Sequence, residues 1–258
     1  MQTASFCLAR GSATFETALV EKTLKSFNTW AFKREQPSCR DQLRHCVARA
    51  VSGRNPLQFV LYWGKGPRQN LAAPDLQCLD FLSTMARSIG QTYGPGAQLT
   101  LICTDSHAVH NGYSKAPTTR YFNAIHRAAA ERRFASCRLS ALVSALPAPR
   151  SCRAEPSVPA DVLEQLMRSA ARWYRGSDGV EAGARRYYAM NMVEKEAVAH
   201  AFPDAIFVTF NGSGLRMLFP DALPIFYMYS IKRGTAIKPW FLTSRGGDAA
   251  IAKPRIAA

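Results

Sequence analysis

The sequence predicts an α/β fold, because short apolar runs typical of buried strands alternate with longer segments that have helical periodicity. Leu57 to Trp63 (LQFVLYW) and Gln98 to Cys103 (QLTLIC) have the apolar and β-prone composition of buried strands. The amphipathic segment between them ends at Gly94-Pro95-Gly96. This order predicts parallel βαβ units, whose right-handed crossovers place the loops after both strands at the carboxyl edge of one sheet.

Helical periodicity accounts for most of the remaining N-terminal sequence. The segments with one apolar face are residues 1–31, Cys39–Val51 and Tyr121–Arg132. The helix between the two strands is expected to begin near Pro74 and Asp75, since proline and an acidic residue both favour a first helical turn. Arg138 to Val143 is expected to form another strand.

The C-terminal sequence has a different organisation. Residues 144–160 contain four prolines and are expected to form a linker or long surface loop. They separate residues 1–143, the α/β core with its N-terminal helices, from residues 161–258, a helical and β-hairpin portion. The predicted helices there are Leu163–Trp173 and Met190–Ala201, and the β-like segments are Ala205–Phe210, Leu215–Phe219, Ile225–Ser230 and Ile237–Leu242. Asn211-Gly212-Ser213-Gly214 is a strong hairpin signal between the first two β-like segments.

Composition excludes several classes of protein. The chain has 258 residues, 47% of them hydrophobic, which is enough apolar surface for a real core and excludes extensive disorder. No apolar run approaches the ~20 residues that a membrane-spanning helix needs. The N-terminal sequence lacks the features of a signal peptide, and the seven cysteines are widely spaced. We therefore expect reduced thiols in a cytoplasmic protein.

The net charge of +15 leaves two interpretations open. An anionic partner, either a nucleic acid or a phosphorylated metabolite, would be attracted by such a field. A GC-rich genome would produce the same excess of arginine, which here supplies 24 of the 33 basic residues. The densest basic stretch runs from Arg127 to Arg153 and contains six arginines against the one acid Glu131.

The loop after the first predicted strand has the composition of an anion site. It reads Gly64-Lys65-Gly66-Pro67-Arg68-Gln69-Asn70, in which glycines permit close backbone approach and Lys65 and Arg68 can neutralise a phosphate. The order of its residues is not that of a Walker A loop. An ordinary solvated loop between a strand and a helix is the alternative interpretation.

The loop after the second predicted strand carries titratable side chains. Asp105 can orient His107 or act as a base, and histidine titrates near neutral pH. Cys103, His107 and His110 are also conceivable metal ligands, although no fourth ligand is evident, and we expect no metal. Cys103 ends an apolar strand and is a better core residue than a nucleophile. A polar turn without catalytic function is the remaining alternative.

Together, these segments resemble the isocyanide synthase family of pyoverdine and dityrosine biosynthesis proteins. The resemblance lies in a lysine-containing proline loop, a P-D-L helix, a Y-P-P-G-like turn and a strand ending in S-D-G. The corresponding residues here are Lys65 with Pro67, Pro74-Asp75-Leu76, Tyr93-Gly94-Pro95-Gly96 and Thr104-Asp105-Ser106. Residues 56–145 carry most of it, and FPDAIFVTFN and IKPWF give a weaker match over residues 187–243.

The resemblance implies a Rossmann-like fold and a cytoplasmic enzyme. The family joins the α-amino group of an amino acid to a carbon of ribulose 5-phosphate and makes an isonitrile without metal or nicotinamide, so no cofactor is expected. Lys65 and Arg68 would then bind phosphate, and Asp105 and His107 would share the acid and base steps. The substrate-binding residues implied by the matching positions are Ser106, Asn211, Lys238 and Trp240.

The sequence departs from the family pattern at several positions that could carry chemistry. Gln77 or Cys78 replaces a glutamate, and His107 lies near a family arginine. Asn211 and Phe241 replace the terminal histidines of two motifs. Two alternatives therefore stay open: a nucleic-acid-directed or tRNA-directed protein, and a non-catalytic member that binds a phosphometabolite or a partner enzyme. The sequence does not indicate an oligomeric state.

Overall fold

A computed structural model describes residues 3–64, 70–147 and 157–228 of the chain. The helices are α1 (Thr3–Phe27), α2 (Arg40–Gly53), α3 (Ala73–Gly90), α4 (Asp105–His110), α5 (Lys115–Ala130), α6 (Leu139–Ser144), α7 (Ala160–Trp173) and α8 (Val180–Ala201). The strands are β1 (Leu57–Trp63), β2 (Ala97–Cys103), β3 (Ala135–Arg138), β4 (Ile206–Thr209) and β5 (Ile225–Tyr227). No helix in these three segments is both long enough and apolar enough to cross a membrane.

The five strands form one parallel sheet in the order β3-β2-β1-β4-β5. This confirms the predicted α/β fold, and the strand order is that of a Rossmann-like sheet. The order reverses between β1 and β4, and ligands of open α/β sheets bind outside the carboxyl ends of the strands at such a switch point. β4 and β5 follow the proline-rich segment in the sequence and lie in the same sheet as β1 to β3.

Helices cover both faces of the sheet, so its strands are apolar on both sides. One face carries alternate residues of β1 such as Phe59, Leu61 and Trp63, and its core includes residues from α1, α2, α3 and α5. The opposite face carries Val60 and Tyr62, and its core includes residues from α6 and α8. Because successive side chains of a strand point to opposite faces, Tyr62 and Trp63 belong to different halves of the molecule.

The predicted strands Leu57–Trp63 and Gln98–Cys103 are confirmed to within one residue, and helix α3 contains Pro74 and Asp75 in its first turn as expected. The prediction of a strand over Arg138–Val143 is wrong. The strand ends at Arg138, and Leu139 begins helix α6. The Asp105 carboxylate accepts hydrogen bonds from the backbone N–H and hydroxyl of Ser140, which stabilises the start of this helix.

The predicted hairpin at Asn211-Gly212-Ser213-Gly214 is also wrong. β4 and β5 are parallel, and the segment between them contains a 3₁₀ helix, Ser213–Leu218, where a strand over Leu215–Phe219 was predicted. A two-residue turn can join only antiparallel strands, whereas a parallel pair needs a longer crossover. Leu215 and Phe219 pack on the face of the sheet that α8 covers. The strand predicted at Ile237–Leu242 lies outside the described residues.

Candidate functional site

A cavity of about 150 Å³ lies at the switch point of the sheet. Its floor is formed by residues at or after the carboxyl ends of β1, β2 and β4, and α4, α7 and α8 supply its walls. Many of the side chains that line it are aromatic: Tyr62, His107, His110, Tyr113, Tyr174, Tyr187, Phe207, Phe210 and Phe219. The part of the wall that the structure describes contains no lysine or arginine, so a ligand there meets mostly apolar and neutral groups.

The His107 side chain lines the cavity and contacts a buried acid, Glu194. Its Nε2 lies 2.5 Å from Oε2 of Glu194, which is on α8. The other carboxylate oxygen of Glu194, Oε1, accepts a hydrogen bond of 2.6 Å from the hydroxyl of Ser106. The Glu194 side chain is 2% exposed and that of His107 13% exposed, so the contact between them is largely shielded from solvent.

Aromatic rings fix the position of the His107 ring. Tyr62 meets it edge to face with ring centroids 6.1 Å apart, and Tyr187 does so at 5.1 Å. Burial, the nearby Glu194 carboxylate and Tyr187 raise the pKa of Tyr62 well above its ordinary value. The Tyr62 phenol therefore stays protonated at neutral pH. In the described part of the cavity wall, His107 is thus surrounded by aromatic rings and contacts the Glu194 carboxylate behind it.

His110, one turn after His107 on α4, has a different environment. Its ring packs against Tyr174 and Tyr187, with centroids 5.1 and 5.8 Å away. Burial lowers the pKa of His110, and the positive charge of Arg186 lowers it further. The two histidines of this helix thus differ in their contacts: His107 meets the Glu194 carboxylate, whereas burial and a cation disfavour the charged form of His110.

Asp105 and Ser106, both predicted site residues, lie at the start of α4 but have different roles in the structure. The Asp105 carboxylate binds Ser140 and lines an open groove of about 760 Å³ on the outer side of α4. Basic residues of that groove are Lys115, Arg138 and Arg186. Ser106 lines the same groove and donates its hydroxyl to Glu194. The structure therefore joins Ser106, rather than Asp105, to the His107 pair.

Of the other predicted site residues, Asn211 follows β4 and lines the cavity, and its backbone N–H donates to the hydroxyl of Thr209. Lys65, Arg68, Lys238 and Trp240 lie outside the described residues. Gly64, the last described residue before Lys65, lines the cavity.

Glu194 is a site residue that the sequence prediction missed. The helix over Met190–Ala201 was recognised from apolar residues such as Met190 and Ala197, and Glu194 lies four residues after the first and three before the second. Such spacing places a carboxylate on the apolar face of the helix. A charged residue in that stripe was the available signal, but only the packing of α8 against α4 shows which histidine it meets.

Cys103 lies in the core and is not placed as a nucleophile. Burial raises the pKa of the Cys103 thiol to about 12, and Cys103 belongs to the core on the other face of the sheet. The thiolate needed for nucleophilic attack is therefore disfavoured. Within residues 3–64, 70–147 and 157–228, no three His, Cys, Asp or Glu side chains are placed to hold one metal ion.

Comparison with known proteins supports the fold. The chain is similar to the crystal structure of the PvcA protein from Pseudomonas aeruginosa, with a TM-score of 0.58 and 18% sequence identity. The similarity covers 86% of this chain and 87% of the PvcA chain, so it extends over most of both molecules. No protein-family model and no curated protein sequence matches this chain.

Proposed function

We propose that this chain is a cytoplasmic biosynthetic enzyme of the isocyanide synthase type, which acts on the α-amino group of an amino acid with ribulose 5-phosphate as carbon donor. The observation that carries the proposal is His107, held by a buried carboxylate at the wall of a cavity at the switch point of the sheet. Two further observations support it: the sequence resemblance to the isocyanide synthase family over residues 56–145, and a fold shared with PvcA over most of both chains.

The chemistry of the first step needs one group that moves protons. An amine attacks a ketone carbonyl only after it has lost its ammonium proton, which a histidine can accept at neutral pH. As the C–N bond forms, a proton moves from the nitrogen to the carbonyl oxygen and gives a hemiaminal. Its hydroxyl leaves as water when a further proton is delivered to it, and a protonated imine remains. His107 can accept the first proton and return it in the second step, so one residue performs both.

A sugar phosphate needs cations that the described part of the cavity wall lacks. Lys65 and Arg68 are proposed to supply them, since Lys65 follows Gly64 at the wall. Asn211 is proposed to contact the substrate from the end of β4, and Lys238 and Trp240 to complete the substrate site. Asp105 is assigned a supporting role, because its carboxylate holds the start of α6.

Mass spectrometry tests the proposal directly. The purified full-length protein is incubated with ribulose 5-phosphate and a pool of amino acids, beside a control without the sugar. We expect a product one carbon atom heavier and two hydrogen atoms lighter than one of the amino acids, formed only with the sugar. No sugar-dependent product under any condition in which the protein is folded would overturn the proposal.

Substitution of Lys65 tests the phosphate assignment within the same assay. Lys65→Ala is expected to raise the KM for the sugar phosphate by about 10-fold or more, because charge-assisted hydrogen bonds to phosphate are strong. Lys195→Ala serves as the matched control, since Lys195 pairs with Asp221 away from the cavity. An unchanged KM in Lys65→Ala would refute the assignment of that lysine.

A second candidate function is nucleic-acid binding. The net charge of +15 and the open groove with Lys115, Arg138 and Arg186 support it. Such binding would weaken steeply as salt rises, because phosphate contacts release counterions. A dissociation constant weaker than about 10⁻⁴ M for tRNA at physiological salt would exclude it, since that is the weak limit of non-specific binding.

A further inference from the structure

Glu194 is a buried carboxylate whose two oxygens both face hydrogen-bond donors. Ser106 donates its hydroxyl to Oε1, and His107 approaches Oε2 with Nε2. An ionised carboxylate is costly to bury without such partners, because burial removes its hydration. Since an ionised carboxylate can only accept hydrogen bonds, the His107 nitrogen that faces it must carry a proton.

That requirement decides which His107 nitrogen can react. Neutral imidazole has one N–H and one lone pair, and the hydrogen bond made by one nitrogen sets the state of the other. With the proton held on Nε2 by Glu194, the lone pair resides on Nδ1. Nδ1 is then the atom that accepts a proton from a ligand.

We infer that Glu194 is a positioning residue that keeps His107 in the Nε2-protonated tautomer and stabilises its imidazolium during the reaction. The inference rests on the proposed function for the identity of the substrate amine, but the tautomer itself does not. Ser106 supports Glu194 from the opposite side, so the three residues form one hydrogen-bonded chain from the groove side of α4 to the cavity.

The proton transfer between the substrate amine and His107 needs no further reactant. The N–H bond of the substrate ammonium breaks, its electron pair stays on the amine nitrogen, and a new N–H bond forms at Nδ1. The positive charge moves from the substrate to the imidazolium, 2.5 Å from Glu194. The amine then forms the C–N bond and passes one of its protons to the former carbonyl oxygen, which gives the hemiaminal. When Nδ1 returns its proton to the hemiaminal hydroxyl, the nitrogen lone pair forms the C=N bond, the C–O bond breaks, water leaves, and the protonated imine remains with the positive charge.

Nitrogen NMR of the imidazole rings tests the tautomer without substrate. The spectrum of ¹⁵N-histidine-labelled protein is compared with those of Glu194→Gln and Glu196→Gln, and the His107 signals are assigned with His107→Gln. We expect wild type and Glu196→Gln to show Nε2 protonated and Nδ1 unprotonated. Glu194→Gln should show a mixture, because an amide can donate as well as accept. Nδ1 protonated in the wild type, or no change in Glu194→Gln, would overturn the inference.

Steady-state kinetics of the Glu194→Gln variant provide a second test of the inference. In Glu194→Gln, kcat is expected to fall by about 100-fold with little change in KM for the amino acid, because the imidazolium loses its counter-charge. Glu196→Gln is the matched control, since it removes a carboxylate two residues further along α8.

The two arms separate the possible failures. Wild-type protein with the expected tautomer but no sugar-dependent product would overturn the proposed function and leave the Glu194 assignment standing. Product formed by Glu194→Gln at the wild-type rate would overturn the assignment and leave the function standing. Circular dichroism and thermal unfolding of Glu194→Gln confirm that the variant is folded.

Discussion

Two buried carboxylates lie on opposite faces of the sheet and have different surroundings. Asp75, on α3, is fully buried and accepts hydrogen bonds from the hydroxyl of Tyr121 and the backbone N–H of Ala72. Trp63 in turn donates its indole N–H to Tyr121. Glu194 accepts its hydrogen bonds from Ser106 and from His107, a titratable ring at a cavity wall.

The comparison separates a carboxylate that stabilises structure from one that can support a reaction. The hydrogen-bond donors to Asp75 include a phenol and a backbone amide. Glu194 instead contacts an imidazole ring that lines a cavity, and such a ring carries both a proton donor and a proton acceptor. Consecutive residues of β1 point toward the two acids: Trp63 lies on the face of the sheet that holds Asp75, and Tyr62 lies on the face that holds Glu194.

The largest expected effect is the loss of turnover on removal of His107. His107→Gln should lower kcat by about 10²- to 10⁴-fold, the usual contribution of a general acid–base residue. His200→Gln, an exposed histidine at the end of α8, should leave kcat unchanged. Steady-state kinetics of both variants measure the difference. Equal rates in the two variants would remove His107 from the reaction.

The next effect is on stability and concerns the Asp75 face. Asp75→Ala removes the carboxylate that accepts hydrogen bonds from the Tyr121 hydroxyl and the Ala72 amide, and the loss of a hydrogen bond to a charged group costs about 1.5–3 kcal/mol. We therefore expect the free energy of unfolding to fall by about 3 kcal/mol, measured by urea denaturation. Glu194→Gln should cost less, since the amide retains an acceptor oxygen for Ser106. A larger loss of unfolding free energy in Glu194→Gln than in Asp75→Ala would contradict this expectation.

The smallest expected effect concerns His110 on α4 and the dependence of the unfolding free energy on pH. The lowered pKa of His110 means that the unfolded chain takes up its proton at a higher pH than the folded chain does. Stability from this group is therefore fully present above the ordinary pKa of 6.5 and is lost as the pH falls below it. His110→Gln should flatten the decline in unfolding free energy between about pH 6.5 and 5. An unchanged slope would show that His110 titrates equally in both states.

Local patterns predicted the N-terminal half of the fold well. β1, β2 and α3 follow from apolar runs, helical spacing and the Pro74-Asp75 start, because composition and periodicity within each segment already indicate its type. The prediction failed at Leu139–Ser144 and at Ser213–Leu218, where distant contacts decide the conformation. Asp105 stabilises the start of α6, and Leu215 and Phe219 pack on the sheet beside residues of α8.

Sequence by itself determined the α/β class, the two polar loops at the carboxyl edge and His107 as a candidate acid–base residue. Periodicity and turn residues carry that information locally. Only the tertiary structure decided that Glu194, 87 positions away in sequence, meets His107, and that Asp105 binds Ser140 instead. The physical reason is that the partner of a buried charge is chosen by how helices pack across the sheet, which residue spacing within one segment does not encode.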